Sequence, residues 1–534
     1  MLRMNLADLD ASDDIAALRQ AAKSSLIEAT SSLREREVIR ATLTRHEQEL
    51  QYRQTRIDAL LFELARLKRW RFGAQSEQLT AQQRQLFEES LAEDIQTLEQ
   101  VLAAEHPAPP AALEPRALTP KRQVLPAHLP RIEHRYERTD CQCDVCRQPL
   151  TVIGEDVSEQ LDCEPIRFFV HRHIRPRYAC RQCQTVTAQP LPAQVIDKGM
   201  AAPGLLAQVL ISKYQDHQPL YRQETLYQRS GIALTRSTLA GWVGACGVAL
   251  QPLADALRTH LLGHSVLHAD ETPVAVLSPG AGRTHRAYLW AYRSGPQTVT
   301  PAVVFDFRMS RAGQHAQQFL EGWRGALMVD DYAGYKALFA AGSVTELACL
   351  SHVRRKFFEL HAANKSQVAA QSLTTIGRLY QVERQAADWS APARQALRMR
   401  EAKPILDAWR VWLIETRGRV PDSSGTARAI DYALRRWTAL MRYLDDGTYP
   451  IDNNPVENAI RPIALGRKNW LFAGTEAAGR RAAAILSLIE SAKLNGHDPF
   501  AYLRDVLTRL PTHPYRRLDK LLPFNWTPAD SYTL

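Results

Sequence analysis

The chain has 534 residues, 45% hydrophobic and 23% charged, a mixture typical of globular proteins and long enough for several domains. Its 67 Lys and Arg outweigh 57 Asp and Glu, for a formal net charge of +10; this points toward a polyanionic partner, though the distribution of charge decides more than its sum. No apolar run reaches bilayer-spanning length and the opening MLRMNLADLDASDD is too acidic for a secretion signal, so the expectation is a cytoplasmic protein with no membrane contact, whose eight cysteines favour metal over disulfides.

Residues 14–105 contain no Pro and only one Gly, Gly73, and are rich in strong helix formers. Leu43, Leu50, Ile57 and Leu64 recur every seven residues, Leu60 and Leu67 add a second row, and polar His46 and Arg53 interrupt the seam. The pattern predicts an amphipathic helix that either self-associates as a leucine zipper or packs on its own domain. The Pro-rich stretch HPAPPAALEPRALTPKRQVLPAHLP, residues 106–130, reads as a linker.

A small unit over 131–190 carries two CxxC pairs, Cys143 with Cys146 and Cys180 with Cys183. Each pair can set two thiolates on one turn, and two facing turns give the tetrahedral sulfur site that structural zinc prefers. The spacer reads as two strands, SEQLDCEP and RFFVHRHIRPRYACR, so the expectation is a zinc ribbon with an enlarged hairpin. Cys141 and Cys163 belong to no such pair. Arg167, His171, Arg172, His173, Arg175, Arg177 and Arg181 crowd the same unit and form either a phosphate-binding face or a solvated hairpin face.

Over 203–250 the chain reads as a helix, a break at Gly231, and a second helix capped by Thr235 or Ser237, with Arg236 near its start. That is the rhythm of a helix-turn-helix, and also of a plain helical pair. From Ser265 the pattern turns to strands: VLHAD, HRAYLWAYR, AVVFDF, then a helical AGQHAQQFLEGW, then ALMVD. Asp270 and Asp330 end the first and last of these. A turn Asp is the ordinary role for either alone; together, on that element order, they suggest a ribonuclease-H-like mixed sheet. Residues 354–449 read as helical again, and 480–534 as a C-terminal segment of two helices and an irregular end.

The third acid is Glu457, in IDNNPVENAIRPIALGRKNWLFAG. Pro455 suits a first helical turn, which puts Glu457 near a helix start with Arg461 on the same face; the plainer reading is a capping-box Glu paired with that Arg. Arg467 and Lys468 follow in positions suited to DNA phosphates. Three carboxylates holding two magnesium (or manganese) ions suit phosphodiester chemistry.

ADETPV, VDDYAGYKAL, CLSHVRRKFFE, DNNPVENAIRPIALGRKNWLFAG and SAKLNGHDPFAYLRDVL resemble the insertion-sequence-sixty-six family of bacterial DDE transposases, the large TnpC-type protein, over nearly the whole chain. The resemblance implies a multidomain α+β protein: a zipper-like helix, a zinc domain, a ribonuclease-H-like DDE core over 262–479 with a helical insertion at about 354–449, and a C-terminal segment. It implies catalytic acids at Asp270, Asp330 and Glu457, and matches His352, Arg354 and Arg355 to a His-x-Arg-Arg stretch that contacts DNA or orders the site. The family's second motif reads Asp-Gly-Tyr where this chain has Asp330-Asp331-Tyr332; the alignment and the strand end favour Asp330. Expected partners are double-stranded DNA at the element's terminal repeats and target, further copies of the chain, and two smaller proteins of the same element. A non-catalytic DNA-binding regulator explains the charge and the cysteines but not the three acids; a nuclease that cuts without joining is the nearer alternative.

Overall fold

The computed structural model describes residues 125–127, 129–137, 142, 148–164, 167–278 and 283–528, together with 92–102 and positions 42, 57, 60, 61, 63, 64 and 89. The chain divides into two units, 1–70 with 101–114, and 71–100 with 115–534. At its described positions the first unit is helical, with Ile57 buried and Leu61 exposed. Leu43, Leu50 and Leu67 of the heptad rows lie outside the described residues.

In the second unit β1 (Arg131–Arg135), β2 (Leu150–Glu164), β3 (Arg167–Cys180) and β4 (Val186–Ala188) form a small sheet. The β2–β3 hairpin is antiparallel from Leu150↔Cys180 to Glu164↔Arg167; β1 runs parallel to β3 and β4 antiparallel to it. Helices α1 (Pro203–Tyr214), α2 (Leu220–Arg229) and α3 (Arg236–Leu261) follow. Thr235 caps α3 by accepting the Thr238 N–H. The helix, the break at Gly231 and the capped second helix follow the expected order, and it is the end of the second helix that differs. α3 is 26 residues long and runs past the anticipated boundary at 250, because Leu239, Trp242, Cys246, Leu250, Leu253, Leu257 and Leu261 sustain a core-facing stripe along its whole length, all of them buried. Arg236 is held by Glu224 at 3.4 Å.

The N-terminal helical region is not one body either. Residues 92–100 pack on α3 so closely that a Cβ on Gly244 would stand 2.7 Å from the Glu93 carbonyl oxygen. Glu89 and Glu93 pair with Lys213 at 2.5 and 3.1 Å, and Arg481 bonds Glu93 and Asp94 at 2.7 and 3.0 Å. Burial pushes the Glu89 and Asp94 carboxyls up and the two cations oppose it.

A five-stranded sheet comprises β5 (Val266–Val276), β6 (His285–Ser294), β7 (Val303–Arg308), β8 (Gly325–Val329) and β9 (Val344–Ala348). Its spatial order is β7-β6-β5-β8-β9. The first three strands form an antiparallel meander; β8 lies parallel to β5, and β9 parallel to β8. The crossover to β8 contains α4 (Gln314–Phe319), and α5 (Lys336–Ala340) precedes β9, a strand that the sequence pattern missed. Then come α6 (Leu350–Asn364), α7 (Gln367–Gln385), α8 (Ala391–Leu397), α9 (Lys403–Arg417), α10 (Gly425–Arg435) and α11 (Trp437–Met441), and finally α12 (Asn454–Trp470), α13 (Glu476–Leu494) and α14 (Pro499–Arg509). The insertion builds its own core around Phe357, Ile376, Trp409 and Ile430.

Both edges of the large sheet are occupied. On β7, the Val303 and Phe305 N–H groups donate to the Ser491 and Ser487 hydroxyls, one turn apart on α13; on β9, Arg442 donates to the Glu346 carbonyl. Such covering removes the free ladder that would template pairing with another chain. Among the described residues no helix is long and apolar enough to cross a membrane.

Candidate active site

Asp270 does not end its strand. β5 continues to Val276 because β6 keeps pairing with it and the segment after α12 adds to its tail, with Ala473 donating to Ala275 and Leu277 donating to Ala473. What ends near Asp270 is the pairing with β8, whose last register pair is His268↔Met328. Asp330 follows Val329, the last residue of β8. The two acids thus stand where two parallel strands part.

Side chains alternate along a strand, so His268, Asp270 and Thr272 share a face, and α12 lies on it. Asn453, buried before the helix, meets His268 Nδ1 at 2.9 Å and donates to the Ala269 carbonyl at 3.0 Å. At the other end Arg467 bonds Thr272 Oγ1 at 3.4 Å and the Pro273 carbonyl at 2.9 Å. Glu457, in the first turn of α12 with Pro455 at the helix start as expected, lies between these anchors. On the opposite face Glu271 accepts from Arg311 at 2.7 Å and from the Tyr335 hydroxyl at 2.9 Å.

Burial is the main force pushing the Asp270 carboxyl up to about 8; the Glu271, Asp330 and Glu457 carboxylates add to it and the Glu271 N–H opposes it. Asp270 therefore feels the other two predicted acids. Asp330 Oδ1 accepts from the Tyr332 N–H at 2.9 Å. The neighbouring Asp331 is occupied elsewhere: Arg436, nearly buried, donates to Asp331 Oδ1 and to the Asp330 carbonyl, both at 2.8 Å, and reaches Glu346 at 3.1 Å.

Glu457 makes no ion pair with Arg461, so the capping-pair reading fails. Its neighbours are Arg355 at 3.5 Å and His352 Nδ1 at 3.7 Å. Glu457 Oε1 and His352 Nδ1 are buried and have no hydrogen-bond partner among the described residues. Burial lowers the pKa of His352 while Glu457 opposes that shift. With Cys349, these donor atoms all lie within 4.8 Å of one another. His352 thus faces the acid more than the solvent.

Of the other predicted DNA contacts, Arg354, Arg355 and Arg461 are exposed around Glu457. Arg467 is turned to β5, and Lys468 is exposed some 15 Å farther along the helix at 1.5 Å per residue. Sequence reasoning missed Asn453, His268, Cys349 and Arg436. The doubled Asn before Pro455 was a signal; nothing marked Arg436 among the chain's many arginines.

In the small sheet Cys180 is buried at the end of β3 and Cys183 lies in the turn after it, while Cys143 and Cys146 fall outside the described residues. Gln142 and Pro149, which flank that first pair, form an antiparallel bridge next to Leu150, the partner of Cys180. Cys163 sits at the far end of the hairpin, opposite Phe168. The basic face is largely neutralised: Arg172 pairs with Glu133 at 2.7 Å, Arg177 with Asp156 at 3.2 Å and His171 with Asp162 at 3.0 Å.

Comparison with known proteins agrees with this layout. The family model described as "Transposase IS66 family" matches residues 198–481, and "IS66 C-terminal element" matches 487–524. A "zinc-finger binding domain of transposase IS66" matches 140–184, and "Transposase C of IS166 homeodomain" matches 59–133. Two uncharacterized proteins of Sinorhizobium fredii are similar over most of their length: y4jD is 38% identical across 75% of this chain and 81% of its own, and y4qI is 38% identical across 78% and 79%. With matches that span the sheet, its helical insertion and the C-terminal helices, this chain belongs to the IS66 family of transposases.

Proposed function

We propose that this chain is a DNA transposase that cuts DNA at the ends of its element and joins the freed ends to a target by metal-dependent phosphoryl transfer. The observation that carries the reading is that Asp270 and Asp330 stand where β5 and β8 part, on a strand face covered by α12 with Glu457 in its first turn. The strand order, three antiparallel strands followed by two parallel ones beside the first, supports a ribonuclease-H-like core.

Three hard oxygen donors suit Mg2+ or Mn2+. The fit rests on two features of the site: an Asp270 carboxyl held up by burial and by its acidic neighbours, and a buried Glu457 oxygen without a hydrogen-bond partner among the described residues; a divalent cation relieves both. When bound, such ions activate the attacking water or 3′-hydroxyl and stabilise the leaving oxygen. The chain's part is to hold the acids. Asn453 and Arg467 fix α12 along β5, Arg436 grips the turn after β8, and Arg311 with Tyr335 engages Glu271 so that it stays on the other face. Arg354, Arg355 and Arg461 would take DNA phosphates. Cys143, Cys146, Cys180 and Cys183 would hold a structural zinc, and the heptad helix would join copies of the chain.

Asp330→Asn tests the reading. With magnesium, cleavage of duplexes carrying the element's ends should fall by orders of magnitude while DNA binding survives, because phosphate contacts come from Arg and Lys. Asp331→Asn should be much milder, since its amide oxygen still accepts from Arg436. Joining of a free 3′ end to a second duplex separates a transposase from a nuclease. Retained cleavage in the Asn variants of Asp270 and Asp330 and in Glu457→Gln alike would sink the mechanism.

A further inference from the structure

Building on the proposed function, we propose that a groove between α6, α7 and α12 holds an unpaired DNA nucleotide beside Glu457, with Phe358 stacked on its base. Three helix faces meet there, each read at the spacing that lines one side of a helix. α6 contributes Arg354 and Phe358, four residues apart, with Arg355 beside them; α7 contributes Gly377, Tyr380 and Arg384; α12 contributes Glu457 and Arg461. The groove holds about 580 Å³, the size of a small-ligand site and too little to enclose a duplex, so a single strand is what it admits.

Its chemistry is that of a single-strand site, cations for the backbone and a ring for the base. Arg354, Arg384 and Arg461 have no ion pair or hydrogen bond from their side chains among the described residues. The acid next to Arg384, Glu383, is taken by Arg398 at 2.7 Å. Phe358 is 53% exposed whereas its neighbour Phe357 is fully buried in the insertion's core, so the exposed ring is not part of that core. Gly377, mid-helix, leaves one wall bare: a Cβ there would meet nothing within 4 Å. The groove's one carboxylate is Glu457, which sets the bound strand next to the proposed acids.

The test uses the full chain in calcium, where binding is read without cutting, and a duplex with a short single-stranded extension containing 2-aminopurine. Wild type should quench the probe by stacking. Phe358→Ala should lose the quench and bind the extended duplex about 5- to 150-fold more weakly, with affinity for a blunt duplex unchanged; Phe358→Trp should restore both. Arg384→Gln should lower the salt slope for the extended probe by about 0.7. Equal quenching by wild type and Phe358→Ala, or an equal affinity loss on the blunt duplex, overturns the inference. Cleavage in magnesium reads the proposed function separately: a chain that stacks the probe without cutting supports this site alone, and one that cuts without Phe358-dependent stacking overturns it alone.

Discussion

Two arginine-rich regions of this chain are handled in opposite ways. In the small sheet, acids stand across from bases: Glu133 is the register partner of Arg172, and Asp156 of Arg175. The pairs that result include Arg172 with Glu133 at 2.7 Å between β3 and β1, and Arg177 with Asp156 at 3.2 Å within the hairpin, cross-strand contacts worth fractions of a kcal/mol each. Around Glu457 the arginines of α6, α7 and α12 lack such partners, apart from Arg355. A count of basic residues singles out the hairpin; a count of unpaired ones singles out the groove. The positive charge available to a polyanion therefore lies by the proposed acids, and the net charge of +10 does not reveal this.

A third population sharpens the contrast, and it carries the largest expected effect on stability. Arg481 is buried and bonds Glu93 and Asp94 at 2.7 and 3.0 Å and Thr97 at 3.1 Å. Removing it leaves two carboxylates buried beside each other with only Lys213 near them. Arg481→Ala should cost about 3–5 kcal/mol of the second unit's stability, the usual result of breaking a buried pair from one side. Urea unfolding followed by tryptophan fluorescence measures it. A loss below about 1 kcal/mol, the size of a surface pair, would mean that this cluster is solvated and that burial does not separate it from the hairpin pairs.

The sequence made the large sheet's first four strands legible because each is short, apolar and rich in β-formers, and Asp270, Asp330 and Glu457 could be proposed as the acids because they sit in long motifs. β9 was not, since VTELA alternates too weakly to stand out. The second helix of the pair after Gly231 was started correctly at Thr235 but ended too early, because its end is set by the length of its apolar stripe, which a local turn pattern does not report. The docking of 92–100 was illegible in principle. Glu89, Glu93 and Asp94 look like a solvated helical face until Lys213 and Arg481, far away in sequence, are brought opposite them. Within the site the acids could be named, but their supports, Asn453, His268 and Arg436, depend on contacts between distant segments. The proposal of Asp330 over Asp331 came from motif reasoning, and the bond from Arg436 to Asp331 supports it.

Arg461→Gln tests the groove side of the comparison. Its guanidinium has no internal partner, so the change should leave stability within about 0.5 kcal/mol. It should lower affinity for a duplex with a single-stranded extension and reduce the slope of log K against log salt by about 0.7, the signature of one lost single-strand phosphate contact. Fluorescence anisotropy across a salt series gives both numbers. An unchanged slope would remove Arg461 from the DNA path and leave the groove's charge without that function.

Arg172→Gln should give the smallest effect of all. Arg172 is exposed and already satisfied by Glu133, so its loss removes a surface pair worth about 0–1 kcal/mol. Because the pair has no net charge, a phosphate approaching it would have to displace a carboxylate at 2.7 Å, and the attraction gained is offset by the pair that is broken. The salt slope should therefore match wild type within error, in the same assay that detects Arg461→Gln. Glu133→Gln is the informative companion. It frees Arg172 without adding a base, and it should raise nonspecific DNA affinity and the salt slope slightly if the hairpin face is held neutral by its acids. A drop in slope for Arg172→Gln would reverse the assignment, making the hairpin a phosphate-binding face whose carboxylates give way when DNA arrives.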